Sequence, residues 1–442
     1  MAEKNIDINV EYLTRVEGHG NIVVNMKKGI LEKCELQIVE APRFFEALLL
    51  GRSIFEAQHL TSRICGICST THSLASVKAS EDAAKIKVSK QTVELRKLLL
   101  NYEILDSHLL HVYFLVAPDL FGKPSIIPML ESSHKPEVLR ALRMKKHYSD
   151  LFDIIAERHT HPISICPRGF TMVPSPLKLE KMKEILERDA KDMEDTVELF
   201  SQVKLPDFER ETEFVAITHP EEYAIYEGNL ISSDMDSQVS PSDYLDIVHE
   251  YHVPHSTAKH SKNKRDSYMV GALARTNLNF DFLHGKAKDA AQRLGFSIPC
   301  YNTYMNSVAQ LIEMVHCIYN SLEIIESFIK NGIDEDDIVT SWPNDSEKPY
   351  RTKPGTGVGI VEAPRGTLIH EYSIDEKADI LNANCVIPTN QNLANADLDL
   401  RKLVFQIKDR SQDEITLACE MLVRAYDPCI SCSSHFLKIE YK

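Results

Sequence analysis

No stretch of the 442-residue chain runs uninterrupted through the roughly 18 apolar residues that a bilayer-crossing helix needs. The longest candidate, Leu109 to Pro118, falls far short, so no membrane span is expected. A secretory signal is also missing: Glu3, Lys4 and Asp7 put charges where such a signal carries its apolar segment. Basic residues are in deficit, 50 Lys and Arg against 65 Asp and Glu, which leaves a net charge of −15. That balance argues against nucleic acid or an anionic membrane surface as the main partner, since both select Lys/Arg-rich fields. Ten cysteines in a chain of this length are too few for a disulfide scaffold. No GxGxxG opens a nucleotide fold, and there is no internal repeat, low-complexity segment or Gly/Ser linker. A cytoplasmic globular protein is what these absences leave.

What is present is an ordinary globular balance, 43% apolar and 26% charged, with material for a large buried core. Length alone allows about three domains, yet nothing cuts the chain, and residues 1–442 read as a single domain. Residues 1–45 form a β-rich N-terminal element, with strand-like runs at 21–25 and 34–39 separated by a turn at 27–30. Residues 46–435 read as a helical core. The stretch 90–116 has apolar residues at helical spacing and neither Gly nor Pro, and 177–203, about 303–331 and 396–425 show the same period. The segment 204–265 reads as the longest irregular region, its charge run at 259–266 as a solvated loop, and 436–442 as a short tail. The expected fold class is mainly α with a small N-terminal β-element (α+β), built on a long-helix bundle.

Four of the cysteines form two CxxC pairs near opposite ends of the chain. Cys65 and Cys68 are followed by His72, and Cys429 and Cys432 by His435. Each pair lets two sulfurs converge on one ion, so two pairs supply four thiolates. A structural zinc is the commonest use of such a set, although a zinc ribbon separates its pairs by only about 15–20 residues. Two independent dithiols of thioredoxin type are a second reading, and neither pair sits in a βαβ pattern. A catalytic soft-metal centre is the third. The residues alone leave all three open.

The paired RxCGxCxxxH and DPCxxCxxH segments resemble the signatures of the large subunit of [NiFe] hydrogenases. Further segments are similar to that family in order along the chain. Arg15, Glu17, Gly18 and His19 resemble its RxEGH element, and Arg43 with Glu46 the segment before the first cysteine pair. His108, His111 and Tyr113 resemble its HxxHxY helix, and His161–Pro162 its central histidine–proline. Tyr268 to Arg275 resembles YxxGxLAR, Glu362 to Gly366 resembles EAPRG, and Ile387 to Asn390 the proline–threonine element after it. The soluble bidirectional branch is the most similar part of the family.

The resemblance implies both ends of the chain meeting at a buried metal site. Dihydrogen is apolar and a very weak acid, so side chains alone do not split it, and soft thiolates suit the nickel and iron that can. The implied cofactor is a Ni-Fe(CN)2(CO) centre, with Cys65 and Cys429 as terminal nickel ligands and Cys68 and Cys432 bridging to iron. Cys429 is then the better first proton acceptor and Glu17 the next, its pKa raised by burial. Arg365 would lie over the metals, where a guanidinium can act electrostatically. Pro364 and Thr389 would complete the pocket, His72 would tune the bridging thiolate, and Asp427 would lie near the open metal site. Glu46 and His435 match ligands of a separate Mg2+ or Fe2+ near the C-terminus, whereas His111 reads as a packed helical histidine.

The same resemblance implies reversible cleavage of H2 to protons and electrons. With no further cysteine cluster there is no iron–sulfur cluster in this chain, so electrons would pass to an iron–sulfur small subunit. Beyond it would stand flavin/iron–sulfur subunits binding NAD(P), F420 or ferredoxin. The alternatives are the catalytic chain of a membrane-associated energy-converting hydrogenase and a metal-free complex I quinone-pocket homologue. Retention of four cysteines and Glu17 counts against the latter. The sequence departs from the family pattern twice. Ser107 stands where many relatives have Asp before the HxxHxY histidine, and Phe436 to Lys442 continue past the final histidine, after which relatives are often cleaved.

Overall fold

Alternating apolar residues over Gly20–Lys27 bury Ile22, Val24 and Met26 on one face. That strand is the centre of an antiparallel sheet, between Ile6–Val10 and Ile30–Ile38. The computed structural model describes residues 5–340 and 350–434, about half of them helical, with several small sheets. Helix Lys90–Leu109 starts where the Ser89 hydroxyl accepts the Thr92 amide, and it continues through a π-turn at Leu110–Val116. Against it pack Lys135–Ala156 and Asn306–Asn331, and Pro176–Ser201 packs on the latter. The buried Arg96 guanidinium fixes it to helix Ser69–Ala84 by a two-pronged ion pair with Glu81 at 2.7 and 2.8 Å.

Two features differ from the sequence expectation. The helical period over 396–425 belongs to two helices, Pro388–Ile407 and Gln412–Ala425. The break falls at Ser411, whose side chain caps the Glu414 amide while Glu414 returns to the Ser411 amide. Strands also extend beyond the first 45 residues. Gly355–Ala363, Gly366–Ile374 and Ile380–Val386 form a second antiparallel sheet. Glu213–Thr218, Asn229–Ser232 and Tyr268–Met269 form a third, and His249–Tyr251 pairs with His260–Lys262 inside the region read as irregular. The first two strands of the second sheet are buried at almost every position, so the period-two signal of a one-sided strand is absent there.

That sheet matters because helix Ser69–Ala84 packs on it, and its backbone comes close to Gly357 and Gly359. A Cβ on Gly359 would stand 2.1 Å from the Ala75 carbonyl oxygen, and one on Gly357 would stand 2.0 Å from the Ala83 amide nitrogen. The helix answers with Ala75, Ala79 and Ala83 on its facing side. Sequence thus fixes the distance between a helix that begins just after Cys68 and a strand that runs into Arg365. Gly359→Ala should therefore lower stability by at least about 2 kcal/mol, the cost of forcing a methyl into a packed contact with backbone. A fall in the urea midpoint checks this, with Gly285→Ala, where nothing lies within 4 Å of the new carbon, as the unaffected control.

Candidate metal centre

The two cysteine pairs converge. Cys65 ends a 3-10 turn at Ser62–Ile64, Cys68 precedes helix Ser69–Ala84, and Cys429 precedes the short helix Ile430–Ser433 that contains Cys432. The Sγ atoms of Cys65 and Cys429 are 3.4 Å apart, those of Cys68 and Cys432 3.4 Å, and those of Cys429 and Cys432 3.0 Å. All four sulfurs lie within 4.8 Å of one another, and all four residues are buried.

Three contacts hold the ends of the chain in this register. Glu17 pairs with Cys429 as a parallel bridge, its carbonyl accepting the Ile430 amide at 3.0 Å and its Oε2 the Ser431 amide at 3.0 Å. Gly18 makes that approach possible: at φ +85° it has no Cβ to collide with Ile430, which would lie 2.6 Å away. Arg43, which sequence reasoning placed only within a resembling segment, donates one guanidinium nitrogen to both the Ile64 and Ser431 carbonyls. One side chain thereby ties the turn before Cys65 to the turn before Cys432.

The thiols do not ionise alike. Amides of Ile67 and Cys68 point at the Cys65 sulfur at 3.3 and 3.4 Å. Hydrogen bonding from Cys429, Cys432 and Cys68 draws the Cys65 thiol well below its ordinary range. Contact with Cys432, Cys65 and Cys68, together with burial, pushes Cys429 up. Burial pushes Cys432 up even though Cys429 pulls it down. For Cys68, bonding to Cys429 and Cys432 lowers the pKa, but Cys65 and burial outweigh it and leave it at about 11. One thiolate thus forms readily, and three more need a cation beside them. A soft, multiply charged centre fits this donor set; a neutral cluster of thiols has no use for such crowding.

A small cavity opens beside the sulfurs, walled by Cys68, Cys429, Cys432, His72, Arg365, Thr389 and the apolar Ala363, Leu368, Ile387 and Pro388. Arg365 is buried, and each of its guanidinium nitrogens makes a hydrogen bond. Its Nε donates to the Asp427 carbonyl at 2.7 Å, one terminal nitrogen to Asp427 Oδ1 at 2.7 Å and the other to Ser107 Oγ at 3.1 Å. Asp427 is held in the left-handed region at φ 52°, and its Oδ2 accepts from Gln310 at 3.1 Å. The Thr389 hydroxyl accepts the Cys429 amide at 3.0 Å, leaving its own proton for the cavity. His72 Nδ1 lies 3.2 Å from His370 Nε2, and His370 meets the Tyr372 hydroxyl at 2.8 Å.

Other expected site residues lie further out. Pro364 offers its carbonyl to Arg275 at 3.1 Å, and Pro388 is the proline on the cavity wall. Arg275 also grips Glu313 at 2.6 and 2.7 Å and Glu362 at 3.0 Å, while His108 meets Glu313 at 2.8 Å. This buried cluster supports the turn that delivers Arg365, and only the order of the motifs along the chain hinted at it. Glu17 is half-buried rather than enclosed. Glu103 escaped sequence reasoning: its carboxylate accepts the Thr70 and Thr71 amides at 2.8 and 3.0 Å, and burial pushes its pKa up to about 8. His111 is packed between Gln310 and the Arg424 carbonyl. Glu46 Oε1 accepts the Cys385 amide at 2.9 Å, and His435 lies outside the described residues.

Comparison with known proteins agrees with this geometry. The family model "Nickel-dependent hydrogenase" matches residues 43–132 and 210–435, and a "HoxL-like" model matches 7–41. The alpha chain of sulfhydrogenase 1 from Pyrococcus furiosus is 32% identical over 436 residues, covering 98% of this chain and 99% of that one. That of sulfhydrogenase 2 from the same organism is 33% identical over 438 residues, covering 98% and 100%. The fold matches that of an NAD+-reducing [NiFe]-hydrogenase crystallised in its H2-reduced state with a TM-score of 0.85, over 98% of this chain and 100% of that one, at 24% identity. Among the described residues no helix is long and apolar enough to cross a membrane. With the four sulfurs gathered and both matches spanning the cysteine pairs, this chain belongs to the nickel-dependent hydrogenase large-subunit family.

Proposed function

We propose that this hydrogenase large subunit carries a Ni-Fe(CN)2(CO) centre on Cys65, Cys68, Cys429 and Cys432, and works in the cytoplasm as one structural unit with an iron–sulfur small subunit. The observation that carries the reading is the gathering of four buried sulfurs within 4.8 Å. When bound, the centre supplies the polarisation of H2 and the redox capacity that side chains lack. In this reading Cys65 and Cys429 would hold nickel as terminal ligands, and Cys68 and Cys432 would be shared with iron. The cavity lies against Cys68, Cys429 and Cys432, where small iron ligands would fit, with the Arg365 guanidinium and the Thr389 hydroxyl in its wall as donors. Its apolar side excludes water, which strengthens both.

The chain's own groups move the proton. A terminal thiolate keeps basicity that a bridging one loses, so Cys429 accepts first. Glu17, bridged to Cys429 through the backbone, accepts next. Its half-buried position between sulfur and solvent suits a relay, and Ser431, whose amide it accepts, donates its hydroxyl to Glu40 at 2.9 Å toward the surface. Arg365, kept cationic first by Asp427 and then by the thiolates, balances charge and holds the wall. His72 orients over Cys68 through its bond to His370, and Asp427 and Pro364 fix the arginine turn. Glu46 with His435 would hold a Mg2+ or Fe2+ that pins the C-terminus.

Electrons need another route. Among the described residues no second group of cysteines converges, and the relatives are named as alpha chains of larger enzymes. They leave through the small subunit to a soluble flavin or iron–sulfur module serving NAD(P), F420 or ferredoxin.

Three measurements test this. Glu17→Gln should reduce H2 oxidation and H/D exchange at least a hundredfold while nickel and iron content stay at wild-type level; full exchange activity would remove Glu17 from the path. Cys429→Ser should lose nickel and activity together, with the fold retained by circular dichroism. The metal-free full chain, in which burial and contact among the sulfurs raise the pKa of Cys68, Cys429 and Cys432, should release more than one proton per Cd2+ bound at pH 7, read with a pH indicator in weak buffer. Release of one or none would mean that the four sulfurs do not act as a unit.

A further inference from the structure

A second set of ligand-type side chains converges away from the sulfurs. Asp397 stands on helix Pro388–Ile407, two turns beyond Thr389, and His260 on the short strand His260–Lys262, with His255 in the loop before it. One ring nitrogen of each histidine and one carboxylate oxygen of Asp397 lie within 4.8 Å of one another. The arrangement is directional. His255 Nε2 faces Asp397 Oδ2 at 3.3 Å, its Nδ1 faces Glu35 at 4.0 Å, and Asp397 Oδ1 is fixed by the Leu36 amide at 2.7 Å. A carboxylate behind a ligating imidazole is the arrangement that orients such ligands.

His260 is the independent sign. It is only 3% exposed, yet its Nε2 has no hydrogen-bond partner among the described residues. A buried ring nitrogen left unsatisfied is destabilising unless something meets it. Asp397 and His255 retain some exposure, with side chains 11% and 19% accessible. The site is therefore open on one side to an ion and its waters.

We propose that His255, His260 and Asp397 bind a divalent first-row transition cation, with water in the remaining positions. Two imidazoles and one carboxylate suit zinc, iron, cobalt or nickel rather than the hard ions calcium and magnesium. The ion would join three segments: the loop before the 260–262 strand, strand Ile30–Ile38 through Leu36 and Glu35, and the helix whose first turn presents Thr389 to Cys429. Its role is structural, pinning the N-terminal sheet to the floor of the sulfur site. Glu46 is in a different place, on the side of Cys385.

The test uses the purified protein in its native assembly, treated with EDTA and then titrated with Zn2+ at constant ionic strength. Wild type should bind one equivalent of zinc that His260→Gln and His255→Gln bind at least tenfold more weakly. Glu46→Gln should keep that equivalent, which separates it from any C-terminal ion. His260→Gln gives up no hydrogen bond at Nε2 and should fold, shown by an unchanged nickel content. Zinc should also raise the unfolding temperature of wild type and leave that of His260→Gln unmoved. Equal zinc affinity in wild type and both histidine variants, or no stoichiometric binding by wild type, overturns the assignment.

Discussion

Four cysteine sulfurs held 3.0–3.4 Å from their neighbours in a buried site do not all ionise unless positive charge stands among them. At the effective dielectric of a protein interior, a pair of thiolates at that spacing repels by about 5 kcal/mol. Only Cys65 is drawn toward ionisation, and the other three stay protonated until positive charge arrives. The site is thus built for a guest that is both cationic and soft. A lone closed-shell ion would meet the charge requirement, but it leaves the adjoining cavity, with its arginine, threonine hydroxyl and apolar wall, without purpose.

Much of the remaining architecture keeps those sulfurs from separating. Gly18 allows the Glu17 strand to touch the Cys429 turn, Arg43 clasps the carbonyls beside both pairs, and the glycines at 357 and 359 set the depth of the helix after Cys68. The Arg275 cluster does the same for Arg365, with Glu313 held well below the ordinary carboxylate range by Arg275 despite burial. Such buried charges are a poor source of net stability, because desolvation offsets most of the attraction. Their value is geometric. Each one joins segments far apart in sequence, which accounts for a chain of this length without a flexible linker.

The parts of this design differed in how far the sequence revealed them. The paired CxxC segments and the long helices were legible because spacing and the 3.6 period are local properties. The sheet at 355–386 was not, because burial on both faces erases alternation, and the helix read across 396–425 hid a break that only the Ser411–Glu414 capping box marks. Within the site, the cysteines and Arg365 could be found by motif. The dependence of Arg365 on Gln310, by way of Asp427, could not, since those partners are set by packing alone. Asp397 and His260 escaped for the same reason: one lies on a helix and one on a strand, and nothing in either neighbourhood announces the other.

Ser107 shows how one uncharged side chain redistributes the field over the site. A carboxylate there would give the Arg365 guanidinium two anions of its own and turn its charge away from the sulfurs. Serine accepts one hydrogen bond at 3.1 Å and contributes no charge, so among the described residues Asp427 is the carboxylate bonded to Arg365. Burial opposes the charge of Arg365, and Asp427 and then Cys429, Cys68 and Cys65 sustain it. Asp427 and Arg365 cancel as a pair, yet the cation is the member on the cavity wall and the anion stands behind it, bound by Gln310. The wall therefore presents positive potential to whatever sits on the thiolates, and it does so with every guanidinium nitrogen already fixed.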